Sequence, residues 1–338
     1  MEKIFNSSKR PAINGTAKVL LACVLSGLSL NSSGQQDTLK SSPNDLVNAL
    51  HTAFGDNHSR AVHAKGIILE GDFVPEKTAS AITKAKHLQG TPSKVIVRFS
   101  NFTGIPNIPD NNSAANPRGF AIKFIMPGGE TTDIVCHSFD GFPTSNSDEF
   151  RQLLLAIGAS GPNSGKPTPV DVFLESHPVA KRFLTTQKNP ASYSAISYFG
   201  VNTFKFTNDK GRSSYIRYQF IPADDEKILT PEQFADAGPD YLMTEIKKRV
   251  VEKPIIFKMY AQIAQDSDHR NDPSIAWPSD RHKVLLGTVT IKKLATNSVE
   301  EDKSLSFIPN RLTPGIETED PMLNFRSAAY PISVRHRQ

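Results

Sequence analysis

The chain has 338 residues, of which 38% are hydrophobic and 22% charged, a composition typical of a globular protein with a substantial core. Its formal net charge is +5, but residues 1–34 contain four basic residues and one acidic residue and so supply +3 of it. The remaining charge of +2 is too small to indicate binding to nucleic acid.

The first 34 residues have the three parts of a secretory signal peptide. Basic residues come first, an apolar run covers residues 19–30, and small residues at 32–34 suit a cleavage site. That run is too short to cross a bilayer, which requires about 20 apolar residues. We therefore expect residues 1–34 to be a signal peptide, residues 35–41 a polar spacer, and the protein to be exported to the bacterial periplasm. The alternative is an ordinary buried N-terminal helix.

The sequence contains two cysteines, and neither predicts a covalent link. Residues 20–23 superficially match a lipoprotein box ending at Cys23, but the apolar run continues beyond that residue, so we expect no stable membrane anchor. After the leader only Cys136 remains, which excludes an intramolecular disulfide in the mature chain.

Residues 42–338 are expected to form one domain, and its first half reads as a helix followed by strands. Ser42 as N-cap, Pro43 as the first helical residue and Gly55 at the end predict a short helix. A two-residue periodicity then predicts four strands with no helix between them, which favours an antiparallel barrel or sandwich over a parallel sheet. These strands cover residues 65–73, 94–102, 119–126 and 133–137.

The second half mixes helices with four more strands. Apolar spacing predicts helices from Asp148 onwards and over residues 169–183, and Thr230 with Pro231 begins a further helical region. The additional strands are expected at residues 201–207, 214–221, 255–263 and 283–292. Eight strands with helical insertions predict an α+β fold built on a closed eight-stranded antiparallel β-barrel.

The last thirteen residues place a tyrosine between two arginines. On a helix, Arg326, Tyr330 and Arg337 share one face, and Pro331 is expected to kink that helix just after the tyrosine. A guanidinium beside a phenol favours the phenolate and lowers a pKa that is normally about 10. Phenolate is a strong ligand for ferric iron, and tyrosine is a known proximal ligand of haem. The alternative is a basic tail with an incidental tyrosine.

Segments at both ends of the chain resemble the haem catalase family. Residues 320–331, with Arg326 four positions before Tyr330, are similar to the family's proximal haem-ligand signature, and residues 60–66 are similar to its distal histidine signature. The resemblance covers roughly residues 50 to 337, and the sequence looks like one of the short, exported catalase-related peroxidases. It too implies the eight-stranded barrel, with a haem-ligand helix at the C-terminus. Further matching segments lie in the right order at residues 97–100, 117–124, 202–206, 286–289 and 314–317.

The resemblance implies a haem, expected to be haem b, with Tyr330 as the axial ligand of its iron. His63 matches the distal histidine, which moves a proton from one peroxide oxygen to the other, and Ser100 matches the serine that orients it. The remaining residues implied to bind the cofactor are Arg326 beside the tyrosine, Phe150 on the distal face, and the propionate-binding arginines Arg60, Arg98 and Arg337.

The chain departs from the family pattern on the distal side. His137 stands where the catalases have an asparagine, although a one-residue slip would put Ser138 there instead. Asn116 replaces the acidic residue of the family's main channel, and Phe102 replaces a small valine. The long C-terminal extension of full-length catalases has no counterpart in this sequence. We therefore expect a peroxidase that reduces hydrogen peroxide or organic hydroperoxides with an organic electron donor and has weak or no catalase activity.

Three alternatives stay open from the sequence. The same scaffold can rearrange a fatty-acid hydroperoxide without a reductant, or bind haem and sense peroxide without turnover, and a barrel without haem is the third alternative. The sequence also leaves open whether the protein is a monomer or a dimer.

Overall fold

The computed structural model describes residues 41–296 and 298–337. The expected signal peptide and nearly all of the spacer lie outside the described residues. The described residues belong to one compact unit.

Ten antiparallel strands of the described residues form one sheet, and eight of them close into a barrel. The strands are β1 Gly66–Pro75, β2 Ser93–Ser100, β3 Gly119–Ile125, β4 Thr131–His137, β5 Tyr198–Phe199, β6 Phe204–Thr207, β7 Ser213–Pro222, β8 Ile255–Ile263, β9 Lys283–Leu294 and β10 Ile316–Thr318. The sheet order is β10-β6-β7-β5-β4-β3-β2-β1-β9-β8, and β8 also pairs with β7, which closes the ring. Strands β6 and β10 extend from β7 outside the ring. The predicted barrel is therefore confirmed.

The barrel interior is packed with large aromatic side chains. Phe120 lies at its centre, with ring centroids 4.6 Å from Phe220 and 5.0 Å from Tyr198. Full burial of a phenylalanine side chain contributes about 1.5–3 kcal/mol, so this cluster is a main source of stability. Because side chains alternate along a strand, burying Val97 and Phe99 inside places Arg98 and Ser100 on the outer face of β2.

A layer of helices covers this outer face. The α-helices in the described residues are α1 Pro43–Phe54, α2 Ser147–Gly158, α3 Pro169–Ser176, α4 Pro178–Thr185, α5 Pro231–Asp236, α6 Tyr241–Glu252, α7 Ser298–Ser304 and α8 Pro321–His336. A second apolar core, separate from that of the barrel, includes Leu46 and Leu50 of α1, Phe150 and Leu154 of α2 and Ala329 of α8. None of these helices is long and apolar enough to cross a membrane.

Local signals located most elements, but α7 and β10 were not predicted and two predicted elements differ from the structure. The helix predicted over residues 169–183 is two helices, because Pro178 lacks an N–H and begins α4 after a break at His177. The strand predicted at residues 201–207 is shorter and lies outside the ring, where the two-residue strand β5 takes its place. Helix α8 runs through Pro331 to His336, and the kink expected at this proline stays a prediction.

Candidate functional site

All nine residues that the sequence predicts to be catalytic or to bind the cofactor line one cavity between the helical layer and the outer face of β2–β4. The cavity has a volume of about 150 Å³. The nine residues are Arg60, His63, Arg98, Ser100, His137, Phe150, Arg326, Tyr330 and Arg337.

His63 lies in the loop between α1 and β1 and faces the cavity. Its φ of 59° is in the left-handed region, and its N–H donates to the carbonyl of Phe102 at 2.8 Å, which fixes the loop against the end of β2. Its Nδ1 lies 3.1 Å from the hydroxyl oxygen of Ser100. Burial, together with the nearby charge of Arg98, lowers the pKa of His63 to about 3. The imidazole is therefore neutral at pH 7, and when Nδ1 carries the proton, Nε2 can accept one from the cavity.

Two glycines make room for this arrangement, and sequence reasoning assigned neither of them a role. A Cβ on Gly119 would lie 2.4 Å from the Ser100 hydroxyl oxygen and 2.6 Å from Nδ1 of His63. A Cβ on Gly66 would lie 2.4 Å from Cζ of Arg98. Both lie in segments that resemble the catalases, but their function depends on close approach in the folded chain.

His137 ends β4 and presents a hydrogen-bond donor to the cavity. The N–H of Phe139 donates to His137 Nδ1 at 3.3 Å, which places the histidine's own proton on Nε2. Within the described part of the chain, that Nε2 is buried without a partner. Burial, with a smaller effect of Arg326, lowers the pKa of His137 to about 3, so the ring is neutral. Ser138 does not line the cavity, because its hydroxyl accepts the N–H of Arg118 at 2.9 Å.

Two of the three predicted propionate-binding arginines, Arg60 and Arg98, bind a carboxylate that sequence reasoning missed. Nε and Nη2 of Arg98 bind the two oxygens of Asp302, a residue of α7, at 2.5 and 2.9 Å. Arg60 donates to Asp302 Oδ1 at 2.9 Å, and both Arg60 and Arg337 donate to the carbonyl of Leu305. Burial alone would raise the pKa of Asp302, but the hydrogen bonds and charges of Arg98 and Arg60 outweigh it and hold the pKa at about 2.

Tyr330 lines the cavity from α8, and a series of hydrogen bonds fixes the start of that helix. Asp320 caps the helix by accepting the N–H of Met322 at 2.9 Å, and it accepts Asn202 Nδ2 at 2.6 Å. Asn202 Oδ1 in turn accepts Nη1 of Arg326 at 3.0 Å. In the part of the chain that the structure describes, Arg326 makes this bond rather than one to the Tyr330 hydroxyl, whose oxygen is therefore available as a ligand.

The other predicted positions differ in how close they lie to the cavity. Phe150 is buried and packs on Phe142, with ring centroids 4.8 Å apart. Phe102 lines the cavity and meets the His63 ring edge-on at 5.5 Å, so it narrows the space beside the histidine. Asn116 is buried away from the cavity and donates to Asn189 Oδ1 at 2.8 Å.

Comparison with known proteins identifies the family. A family model described as Catalase matches residues 56–338. This chain belongs to the catalase family. The catalase-related peroxidase of Synechococcus elongatus is 33% identical over 302 residues, which cover 87% of this chain and 88% of the relative. The catalase-related peroxidase of Mycolicibacterium paratuberculosis is also 33% identical, over 87% of this chain and 94% of the relative. The predicted family is thereby confirmed, and the protein is an oxidoreductase that acts on peroxide.

Solved structures confirm the fold. A fungal catalase superimposes with a TM-score of 0.74 at 21% sequence identity over 82% of this chain, and a bacterial catalase with a TM-score of 0.72 at 23% identity over 82%. The chain spans 59% of the fungal protein's length and 57% of the bacterial protein's length.

Catalase-family proteins bind haem, and the polar groups around this cavity fit that cofactor. Nε of Arg60 and Nε of Arg337 are buried donors without a partner among the described residues. Buried donors are costly to leave unpaired, and the carboxylates of two propionates would satisfy them. The three arginines and Asp302 carry three positive charges and one negative charge, so their formal charge of +2 would balance two propionates. These residues would hold the propionates, and Tyr330 would ligate the iron.

Proposed function

We propose that this catalase-family enzyme is a haem peroxidase that reduces hydrogen peroxide or an organic hydroperoxide with electrons from an organic donor and releases little oxygen. The observation that carries the proposal is the pair of neutral histidines at the cavity, one oriented by Ser100 with Nε2 open and the other with its Nε2 proton unpaired. Tyr330 lines the same cavity from α8. The names of the two relatives that are 33% identical support the peroxidase assignment.

The two histidines have complementary tasks in cleaving a peroxide. When bound, haem would supply the iron that polarises the O–O bond and stores the oxidising equivalents. His63 would take the proton from one peroxide oxygen and return it to the other, which contributes about 10²–10⁴-fold in rate for a well-placed acid–base group. Ser100 would keep its ring in position for both transfers. His137 would donate its Nε2 proton as a hydrogen bond to a peroxide oxygen, the task that the family gives to an asparagine.

The dimensions of the cavity favour a reducing donor over a second peroxide. Oxygen release requires another peroxide to enter and be oxidised on the distal side, where the imidazole of His137 and the ring of Phe102 take up space. An organic donor needs only to deliver electrons near the haem edge. The proposal also includes haem b as the cofactor and, from the leader at residues 1–34, export to the periplasm.

The test compares oxygen release with donor oxidation in the haem-loaded protein. We expect slow oxygen evolution from hydrogen peroxide and readily measured oxidation of an aromatic donor, at matched haem content. His137→Asn should shift the ratio towards oxygen, because the amide is smaller and keeps a donor. A parent protein that evolves oxygen with kcat/KM near the diffusional limit of about 10⁸ M⁻¹s⁻¹ would contradict the proposal.

A second candidate is rearrangement of a fatty-acid hydroperoxide. The observation in its favour is the largely apolar lining of the cavity, to which Leu46, Leu50 and Phe102 contribute. Rearrangement needs no reductant, so it would give the same products from a lipid hydroperoxide with and without the donor. Peroxidase activity would instead give the corresponding alcohol only when the donor is present.

A further inference from the structure

Three side chains with metal-ligating atoms meet at the surface where the ends of α1 and α8 come together. His51 lies in the last turn of α1, Asp56 lies just after that helix ends, and His336 is the last residue of α8. One ligand atom from each lies within 4.8 Å of the other two. The two imidazole rings are 5.2 Å apart between centroids. His51 is half-buried, while Asp56 and His336 are exposed.

The surroundings of this cluster favour a cation. Both histidines stand at helix C-termini, where the unpaired carbonyl groups give a partial negative charge of about half a unit, and Asp56 adds a full one. In the described part of the chain, no protein group hydrogen-bonds to the ring nitrogens of either histidine, so these nitrogens are available as ligands.

We propose that His51, Asp56 and His336 bind a divalent transition-metal ion, with Zn²⁺ or Cu²⁺ best suited, at a site separate from the haem cavity. Two imidazole nitrogens and one carboxylate oxygen are the ligands that these ions prefer, and a fourth position stays open for water. Ligand atoms on a tetrahedral Zn²⁺ lie about 3.3 Å apart, given metal–ligand distances of about 2.0–2.1 Å. Asp56 and His336 are exposed, so small rotations of their side chains would bring the three ligand atoms from the separation seen here to that spacing.

The site would join the two segments that flank the haem cavity. Helix α8 carries Tyr330 six positions before His336, and Arg337 of the propionate cluster follows immediately. Helix α1 contributes Leu46 and Leu50 to the cavity lining. A metal ion at their shared end would therefore cross-link α1 to α8 and stabilise the folded chain by binding it and not the unfolded state.

Metal binding is measured on tag-free protein, in the haem-loaded and the haem-free form, and no peroxide is added. The result therefore does not depend on whether the proposed function is correct. Titration with ZnCl₂ in a calorimeter should give one site per chain in both forms, and the melting temperature should rise with Zn²⁺ concentration. His51→Gln, Asp56→Asn and His336→Gln should each weaken binding by at least tenfold. His282→Gln, a change at an exposed histidine elsewhere on the surface, serves as the matched control and should bind Zn²⁺ like the parent.

Electron paramagnetic resonance with Cu²⁺ tests the ligands directly. The parent should show hyperfine coupling to two imidazole nitrogens, and His336→Gln should show coupling to one, which distinguishes loss of a ligand from a general change of fold. Equal Zn²⁺ affinity in the parent and His51→Gln would overturn the proposal, as would a parent that binds no Zn²⁺ at 100-fold molar excess.

Discussion

Asp302 is expected to be a major stabilising residue of the haem-free protein, and Asp302→Asn measures that contribution. Its carboxylate neutralises part of the charge of Arg60 and Arg98, and only 22% of its side chain is exposed. The folded protein holds its pKa at about 2, compared with an ordinary value of 3.8. A difference of nearly two pKa units corresponds to about 2 kcal/mol of folding free energy at pH 7, at about 1.4 kcal/mol per unit.

The sign of the pH dependence follows from the depressed pKa. The stability that Asp302 contributes is fully present above the unfolded value of 3.8 and is lost as the pH falls through about 2 in the folded state. The asparagine of the variant does not titrate. The difference in stability between parent and variant should therefore be constant from pH 7 to pH 5 and should shrink below pH 4.

Urea unfolding of haem-free parent and variant at pH 7, 5 and 3.5 provides the measurement. Glu300→Gln is the matched control, because Glu300 lies in the same helix but is exposed and, among the described residues, paired only with Lys303. Haem should stabilise Asp302→Asn more than it stabilises the parent, since the propionates would replace the lost negative charge. The reasoning fails if Asp302→Asn is no less stable than Glu300→Gln at pH 7.

Two further predictions concern the two faces of the haem. Tyr330→Phe removes the phenolic oxygen that α8 offers to the iron, so we expect loss of haem or an absorption spectrum without tyrosinate character. Retention of the parent's charge-transfer bands would exclude this ligand. His63→Ala should keep haem but slow the peroxide reaction by about 10²–10⁴-fold in stopped-flow measurements, because the acid–base group is gone. An unchanged rate would remove His63 from the mechanism.

Features set by local signals could be predicted from the sequence. Ser42, Pro43 and Gly55 bound α1 as expected, because capping and φ preferences act within a few residues. Period-two patterns located β1–β4 and β7–β9 for the same reason. The break between α3 and α4 could also have been predicted, because a proline such as Pro178 marks the start of a new helix. The continuous apolar spacing of residues 169–183 favoured a single helix instead.

Features set by long-range contacts could not be predicted. Asp302 reaches Arg60 across 242 positions and Arg98 across 204, and nothing in the acidic run around it distinguishes it from Glu300 or Glu301. Strand β5 has only two residues, too few for a periodicity, and exists because β4 and β7 offer it hydrogen bonds on either side. The sequence likewise could not decide between His137 and Ser138, since that choice depends on the register of β4.

The strand register explains how separate motifs become one site. Gly66 pairs with Ser100, Ser100 with Gly119, and Gly119 with His137, so a single row crosses β1 to β4. Residues in such a row project from the same face of a sheet, here the outer one. Every second residue of this row is a glycine. The missing side chain of Gly66 leaves room for the Arg98 guanidinium, and that of Gly119 leaves room for the His63 ring. A slip of one residue in β4 would turn His137 away from the cavity and bring Ser138 to it. The pairing of His137 with Gly119 therefore makes the histidine, and not the serine, the hydrogen-bond donor on the distal side.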